Sequence, residues 1–206
     1  MSFTIGFDLD MTLIDPRPGM IALFDVLAAE TGIPLDGHGF ASRLGPPLAH
    51  EFARYNLPDD VIATLIDRFR ELYISTVIPL TTEMPGAREA VAAVTERGGR
   101  VVVITGKFGP NAEAHLRALQ IEAAAVIGEL WGHSKAGALR EFEAEVYVGD
   151  HLGDVAGARE ADAMAVGVAT GPISAEDLAA AGADVVLHDL TGFPSWLDAY
   201  LLATVH

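Results

Sequence analysis

The chain has 206 residues, enough for one large α/β core or a core with an insertion, and half of them are apolar, which excludes a disordered protein. Its formal net charge is −16 with acids spread throughout, so it lacks the basic footprint of a nucleic-acid binder and any patch for an anionic membrane surface. There is no cysteine, which rules out disulfides, thiolate metal sites and a cysteine nucleophile, and no basic leader or membrane-length apolar run, so the expected location is the cytoplasm.

The first element is an apolar strand from Phe3 that runs directly into Asp8-Leu9-Asp10-Met11-Thr12. If the strand continues, its period of two sets Asp8, Asp10 and Thr12 on one side. Two carboxylates this close repel each other unless a cation lies between them or their pKa values separate. Residues 14–20, punctuated by Pro16, Pro18 and Gly19, read as a hinge rather than an element. A helix is expected over residues 21–30, stopped by Gly32 and Pro34. The loop Arg43-Leu44-Gly45-Pro46-Pro47-Leu48 then precedes a short helix carrying His50, Phe52 and Arg54, and Asp59 or Asp60 caps a helix to about Ile74. No convincing strand falls between Asp15 and Glu83, so residues 15–83 read as a helical insertion between core segments 1–14 and 84–206.

After a turn at residues 84–88, helices are expected over 89–97, 110–119, 134–142, the stretch after Gly153, 175–181 and 194–202. They alternate with strands over 100–105, 123–127, 146–150, 163–169 and 184–187. The run Arg100-Val101-Val102-Val103-Ile104-Thr105 is nearly continuous in apolar residues, as a strand buried on both faces requires. This rhythm predicts an α/β fold with a doubly wound parallel sheet. Ligands of such sheets bind beyond the carboxyl ends of the strands. Those ends carry Asp8 and Asp10, then Thr105-Gly106-Lys107, then Gly149-Asp150-His151-Leu152-Gly153-Asp154. Asp8 and Asp150 suit an octahedral Mg2+, and Thr105 with the Gly106 amide suits a phosphoryl oxygen. Only two of the thirteen basic residues are lysines, Lys107 in a strand-end loop and Lys135 at a helix start, where a cation opposes the helix dipole. A compact ammonium fits a phosphoryl oxygen beside an aspartate.

Asp8-Leu9-Asp10-Met11-Thr12, Thr105 after an apolar strand, Lys135, and Gly149-Asp150 with Asp154 occur in the order of the motifs of the haloacid dehalogenase superfamily, which the chain resembles over nearly its whole length. The resemblance implies a Rossmann-like core and makes residues 15–83 a cap that selects substrate. The second aspartate, Asp10, is a mark of the phosphatases and phosphomutases in that superfamily. The loops at residues 15–20 and 44–48 resemble those of its phosphoglycolate phosphatase and nucleotidase-like branch. Met11 departs from the pattern, since most relatives have glycine there; a positive φ at this position would strain a methionine.

The resemblance implies that Asp8 attacks phosphorus to form an aspartyl-phosphate, that Asp10 acts as acid and then base, and that Thr105 and Lys135 hold the phosphoryl group. It further implies Mg2+ at Asp8, the Asp10 carbonyl, Asp150 and Asp154. Substrate-binding candidates in the insertion are Arg43 first and Arg17, with His50 and Arg54 behind them, because arginine binds a carboxylate or second phosphate bidentately. The expected activity is Mg2+-dependent hydrolysis of a small phosphorylated metabolite by a monomer or homodimer. The alternatives are a phosphomutase of the β-phosphoglucomutase type and a non-catalytic phosphate-binding protein on the same fold. A phosphonatase would need a cap lysine, and residues 1–100 contain none.

Overall fold

The computed structural model describes residues 3–204. In chain order the elements are β1 Thr4–Phe7, β2 Ile14–Asp15, α1 Arg17–Thr31, α2 Gly37–Ala41, α3 Leu48–Ala53, α4 Asp59–Thr76, β3 Thr82–Glu83, α5 Ala87–Glu96, β4 Arg100–Ile104, α6 Gly109–Leu119 and β5 Ala125–Ile127. They continue with α7 Lys135–Glu141, β6 Ala144–Gly149, α8 Leu152–Glu160, β7 Met164–Val168, α9 Ala175–Ala180, β8 Val185–Leu187 and α10 Phe193–Thr204. No described helix is long and apolar enough to cross a membrane.

Six strands form one sheet in the order β5-β4-β1-β6-β7-β8, every pair parallel. Counted along the sheet's own strands this is the order 3-2-1-4-5-6, the doubly wound arrangement in which strand order reverses beside the first strand. Both neighbours of β1, β4 and β6, are buried along nearly their full length, which is why their sequences run apolar rather than alternating. The carboxyl ends of β1 and β6 therefore flank the switch point, and they carry Asp8 and Asp150.

The chain leaves the sheet after Leu13 and returns at Met84, and the residues between them are not strand-free. Ile14–Asp15 pairs antiparallel with Thr82–Glu83, and the Met84 amide donates to the Leu13 carbonyl at 3.0 Å. Two strands of two residues, far apart in sequence, leave no periodicity to read. The expected hinge is correspondingly shorter: α1 starts at Arg17, with Pro18 in its first turn where a missing N–H costs nothing. The helices α1 to α4 close around Phe24, whose ring stacks on Phe40 (4.4 Å) and Phe52 (5.6 Å) and meets Phe69 edge-on (6.2 Å). Each such buried ring contributes on the order of 1.5–3 kcal/mol. That aromatic centre fixes where α4 lies, and with it Tyr73 and Arg70.

Candidate active site

β1 delivers Asp8 with its amide donating to the Val148 carbonyl at 2.8 Å, and then the chain turns sharply. The Leu9 carbonyl accepts from Thr12, Leu13 and Ile14, and Met11 takes φ 62°. The strand thus stops at Phe7, and Asp8 and Asp10 are separated by the turn instead of sharing a strand face. Each aspartate has its own lysine. Lys135 Nζ lies 2.9 Å from Asp8 Oδ1 and 2.6 Å from Asp154 Oδ1 and donates to the Tyr147 hydroxyl at 2.8 Å. Lys107 Nζ lies 2.9 Å from Asp10 Oδ2 and donates to the Tyr73 hydroxyl at 2.5 Å.

The Lys135 ammonium is 1% exposed, so the macrodipole penalty of a lysine at a helix start is met by two carboxylates rather than by water. Burial works against its charge, but Asp154 and Asp8 more than offset this and hold its pKa well above the ordinary value. Tyr147 reaches Lys135 because position 6, one strand over, is glycine: a Cβ there would sit 2.7 Å from the Tyr147 ring.

Oxygens of Asp8, Asp150 and Asp154, all buried, lie within 4.8 Å of one another. Thr12 Oγ1 donates to Asp150 Oδ1 at 3.1 Å, and Asp154 Oδ2 accepts from the His151 amide at 3.1 Å at the start of α8. Burial, then the charges of Asp154 and Asp8, push the Asp150 carboxyl well above the carboxylate range; burial likewise raises Asp154, to about 6, against the pull of Lys135. The donor set is hard oxygen throughout and carries more negative charge than one lysine neutralises, which is the chemistry Mg2+ fits. Position 171 shapes the same spot, for a Cβ there would lie 1.8 Å from Asp150 Oδ2.

Asp10 faces another way. Its Oδ1 is buried without a partner while Oδ2 is held by Lys107, and burial, against the pull of Lys107, raises its pKa. It lines a cleft of about 330 Å³ between the sheet and the helical insertion. Gly106, Lys107 and Trp131 form the sheet side; Met20, Leu44, Leu48, Ile66, Phe69, Arg70 and Tyr73 come from the insertion. Thr105, 2% exposed, follows the last residue of β4 and accepts from the Lys107 amide at 3.3 Å. The hydroxyl of Tyr73 also joins His115 Nε2 at 2.8 Å, so a buried chain runs Asp10, Lys107, Tyr73, His115 from the turn after β1 into α4 and α6.

Arg17 and Arg43 are placed elsewhere. Arg17 forms a two-pronged pair with Asp15 (2.8 and 2.6 Å) and Arg43 pairs with Glu51 at 2.7 Å; neither lines the cleft. Their guanidinium groups are held by local carboxylates, so the proximity of Arg43 to the Gly-Pro-Pro loop does not direct it inward. The arginine that does line the cleft is Arg70 of α4. Reading the sequence also passed over Tyr73, Tyr147, Trp131 and the Thr170-Gly171 turn, whose Thr170 hydroxyl donates to the Met11 carbonyl at 2.5 Å. Only Thr170-Gly171, just past a strand end, carried a positional signal.

Fold and site together define a doubly wound α/β protein with an acidic, lysine-bridged centre at its switch point. A family model described as haloacid dehalogenase-like hydrolase matches residues 5–159, and the chain belongs to that family. A phosphoglycolate phosphatase from Caulobacter vibrioides is 27% identical over 93% of this chain and 89% of its own length. Among solved structures, a predicted phosphoglycolate phosphatase from Haemophilus somnus superposes with a TM-score of 0.81 at 19% identity, covering 94% of this chain and 97% of that one. A protein assigned as a β-phosphoglucomutase from Thermotoga maritima gives 0.73 at 20% identity, covering 96% and 99%. These structural likenesses are likenesses of fold.

Proposed function

We propose that the protein is a Mg2+-dependent phosphatase that hydrolyses small phosphate monoesters through an aspartyl-phosphate on Asp8. The observation that carries this reading is the separation of the two aspartates: Asp8 sits in the Lys135 and carboxylate cluster, while Asp10, paired with Lys107 and with its Oδ1 buried and unpartnered, lines the cleft. In this reading Asp8 attacks phosphorus in line and the ester oxygen leaves. Asp10, within the cleft, gives its proton to that oxygen, and then, as carboxylate, takes a proton from the water that attacks the aspartyl-phosphate, releasing phosphate and freeing Asp8. Thr105, the Gly106 amide and Lys135 hold the phosphoryl oxygens. Asp8, Asp150, Asp154 and the Asp10 carbonyl would hold Mg2+, and what a hard divalent cation would supply there is neutralisation of charge on the transferring oxygens. Residues 15–83 act as the cap that encloses the leaving group.

The test is phosphate release from a panel of monoesters with and without Mg2+, for the wild type and for Asp8→Asn. Metal-dependent release that Asp8→Asn abolishes is the expected outcome; release unaffected by Asp8→Asn would remove Asp8 as nucleophile and the mechanism with it. Release from a hexose phosphate only as a minor product beside an isomerised phosphate would instead favour a mutase.

A further inference from the structure

The cleft beside Asp10 has room for a leaving group far larger than the phosphoryl site, and its charges are already matched. Besides Asp10, the charged residues that line it are Lys107, Arg70 and Glu129. Lys107 is paired with Asp10 at 2.9 Å. Arg70, 40% exposed, pairs with Glu129, 60% exposed, at 3.2 Å and lies over the face of Phe108, 4.4 Å from the ring centroid to the guanidinium carbon. Both cations that line the cleft therefore have a carboxylate partner, and Arg17 and Arg43, each paired with its own local carboxylate, lie outside it. A leaving group bearing a carboxylate or second phosphate would enter with no counterion, beside Glu129 and in a chain of net charge −16. Beside the buried Lys107 and Asp10 pair an unpaired anion is costly to desolvate, and at the more exposed Arg70 and Glu129 pair it meets a cation already matched.

The remaining walls take the opposite kind of group. Phe69, Leu44, Leu48 and Ile66 face the cleft from the insertion, and the Trp131 ring faces it from the sheet side. The loop Gly45-Pro46-Pro47 lies against that indole: Gly45 has φ +139°, and a Cβ on it would come within 2.9 Å of the Trp131 ring. A cleft of about 330 Å³ that combines apolar walls with a few charged and polar side chains is the form of a site for a small organic molecule.

Resting on the phosphatase reading above, we infer that the ester this enzyme hydrolyses has an uncharged, apolar alcohol of aromatic or branched-aliphatic character, and not the carboxylate-bearing alcohol of phosphoglycolate. The phosphoryl group is held at Asp8 and Lys135, outside the cleft lining, and the alcohol carbon skeleton extends past Asp10 along Trp131, Leu48 and Ile66. Selectivity comes from apolar contact with these walls and from the absence, among the described residues that line the cleft, of a cation without a carboxylate partner.

The test compares alkyl esters whose leaving groups have similar basicity: phosphoglycolate, ethyl phosphate and 2-phenylethyl phosphate. The expected kcat/KM for 2-phenylethyl phosphate exceeds that for phosphoglycolate by roughly 50-fold or more, the gain expected for burying a phenyl-sized apolar surface. Ile66→Arg is expected to narrow the gap by at least about tenfold, since it puts an unmatched cation on the wall. Equal or better use of phosphoglycolate by the wild type overturns the inference, as does equality of the ethyl and phenylethyl esters. If none of the three esters turns over, the phosphatase reading fails by itself, and the cleft is then judged by binding. For that, Asp8→Asn in a Trp196→Phe background leaves Trp131 as the reporter, and fluorescence titration should show 2-phenylethyl phosphate binding at least about tenfold tighter than phosphoglycolate. No binding of either, or the reverse order, overturns the inference.

Discussion

Replacing Lys135 by methionine keeps an unbranched side chain of similar length in a site that is 1% exposed, so little packing is lost. What is lost is the ammonium that joins Asp8 at 2.9 Å to Asp154 at 2.6 Å and donates to Tyr147 at 2.8 Å. Removing one partner of a buried ion pair costs about 3–5 kcal/mol, because the remaining charges stay desolvated and here repel one another. That is a large share of the roughly 5–15 kcal/mol that holds a domain together. With an m value near 3 kcal/mol/M, as suits a chain of this size, the urea midpoint without metal should fall by about 1–1.7 M. Unfolding followed by circular dichroism measures this. Adding Asp154→Asn to Lys135→Met should recover part of the loss, since one of the orphaned charges is then gone. A midpoint shift below about 0.3 M, or a double variant less stable than Lys135→Met alone, would show that the cluster is not held by this charge pairing.

Mg2+ at a hundred times its dissociation constant should stabilise the wild type by about 2.7 kcal/mol, seen as a rise in melting temperature, and Asp150→Asn should remove most of that rise. Gly171→Ala should remove it too, and with it Mg2+-dependent turnover, because the new methyl meets the Asp150 carboxylate at 1.8 Å; an unchanged Mg2+ response would mean that this wall is movable. His115 is driven down to about 2 by burial and then by the Lys107 charge. The unfolded chain therefore takes up a proton below about pH 6.5 that the folded chain refuses, and wild-type stability falls with pH at up to about 1.4 kcal/mol per pH unit below that point. His115→Leu lacks this slope, so its stability deficit relative to wild type should shrink by about 1–2 kcal/mol between pH 7 and pH 5, and a constant deficit would contradict it. Gly45→Ala should raise KM several-fold with a smaller effect on kcat, since it strains the roof loop and pushes on Trp131 while leaving Asp8 and Asp10 untouched.

The alternation of apolar runs with amphipathic stretches made the sheet and its helices readable, because a strand buried on both faces must be apolar over four or five residues, as β4 is. The acidic strand ends were readable for the same reason: Asp8 and Asp150 interrupt such runs where a core residue would otherwise continue. The partners of those acids were not. Lys107 and Lys135 stand out by rarity, but their division of labour, one for Asp10 and one for Asp8, depends on the turn at Leu9–Ile14 and on α4 bringing Tyr73 across from the insertion. Arg70, not Arg43, lines the cleft because the Phe24, Phe40, Phe52 and Phe69 stack fixes which face of α4 looks toward the sheet. Within a segment of several short helices, arginine position in sequence carries no such information.

Met11 shows how one position serves both the fold and the site. Its φ of 62° belongs to the region where a non-glycine residue costs on the order of 1–2 kcal/mol, so glycine would make the turn with less strain. The methionine side chain, however, is only 2% exposed and packs with Phe7, Leu9 and Leu13 in the same core cluster. Burial of a side chain of that size is worth about 1.5–3 kcal/mol, comparable to or larger than the strain. The backbone is also held from outside: the Met11 amide donates to the Ile14 carbonyl at 2.8 Å and its carbonyl accepts from Thr170. The turn that parts Asp8 from Asp10 is therefore set by packing beneath it and by the loop after β7 beside it, so a residue that violates the local rule for the turn still preserves the geometry on which two separate aspartate roles depend.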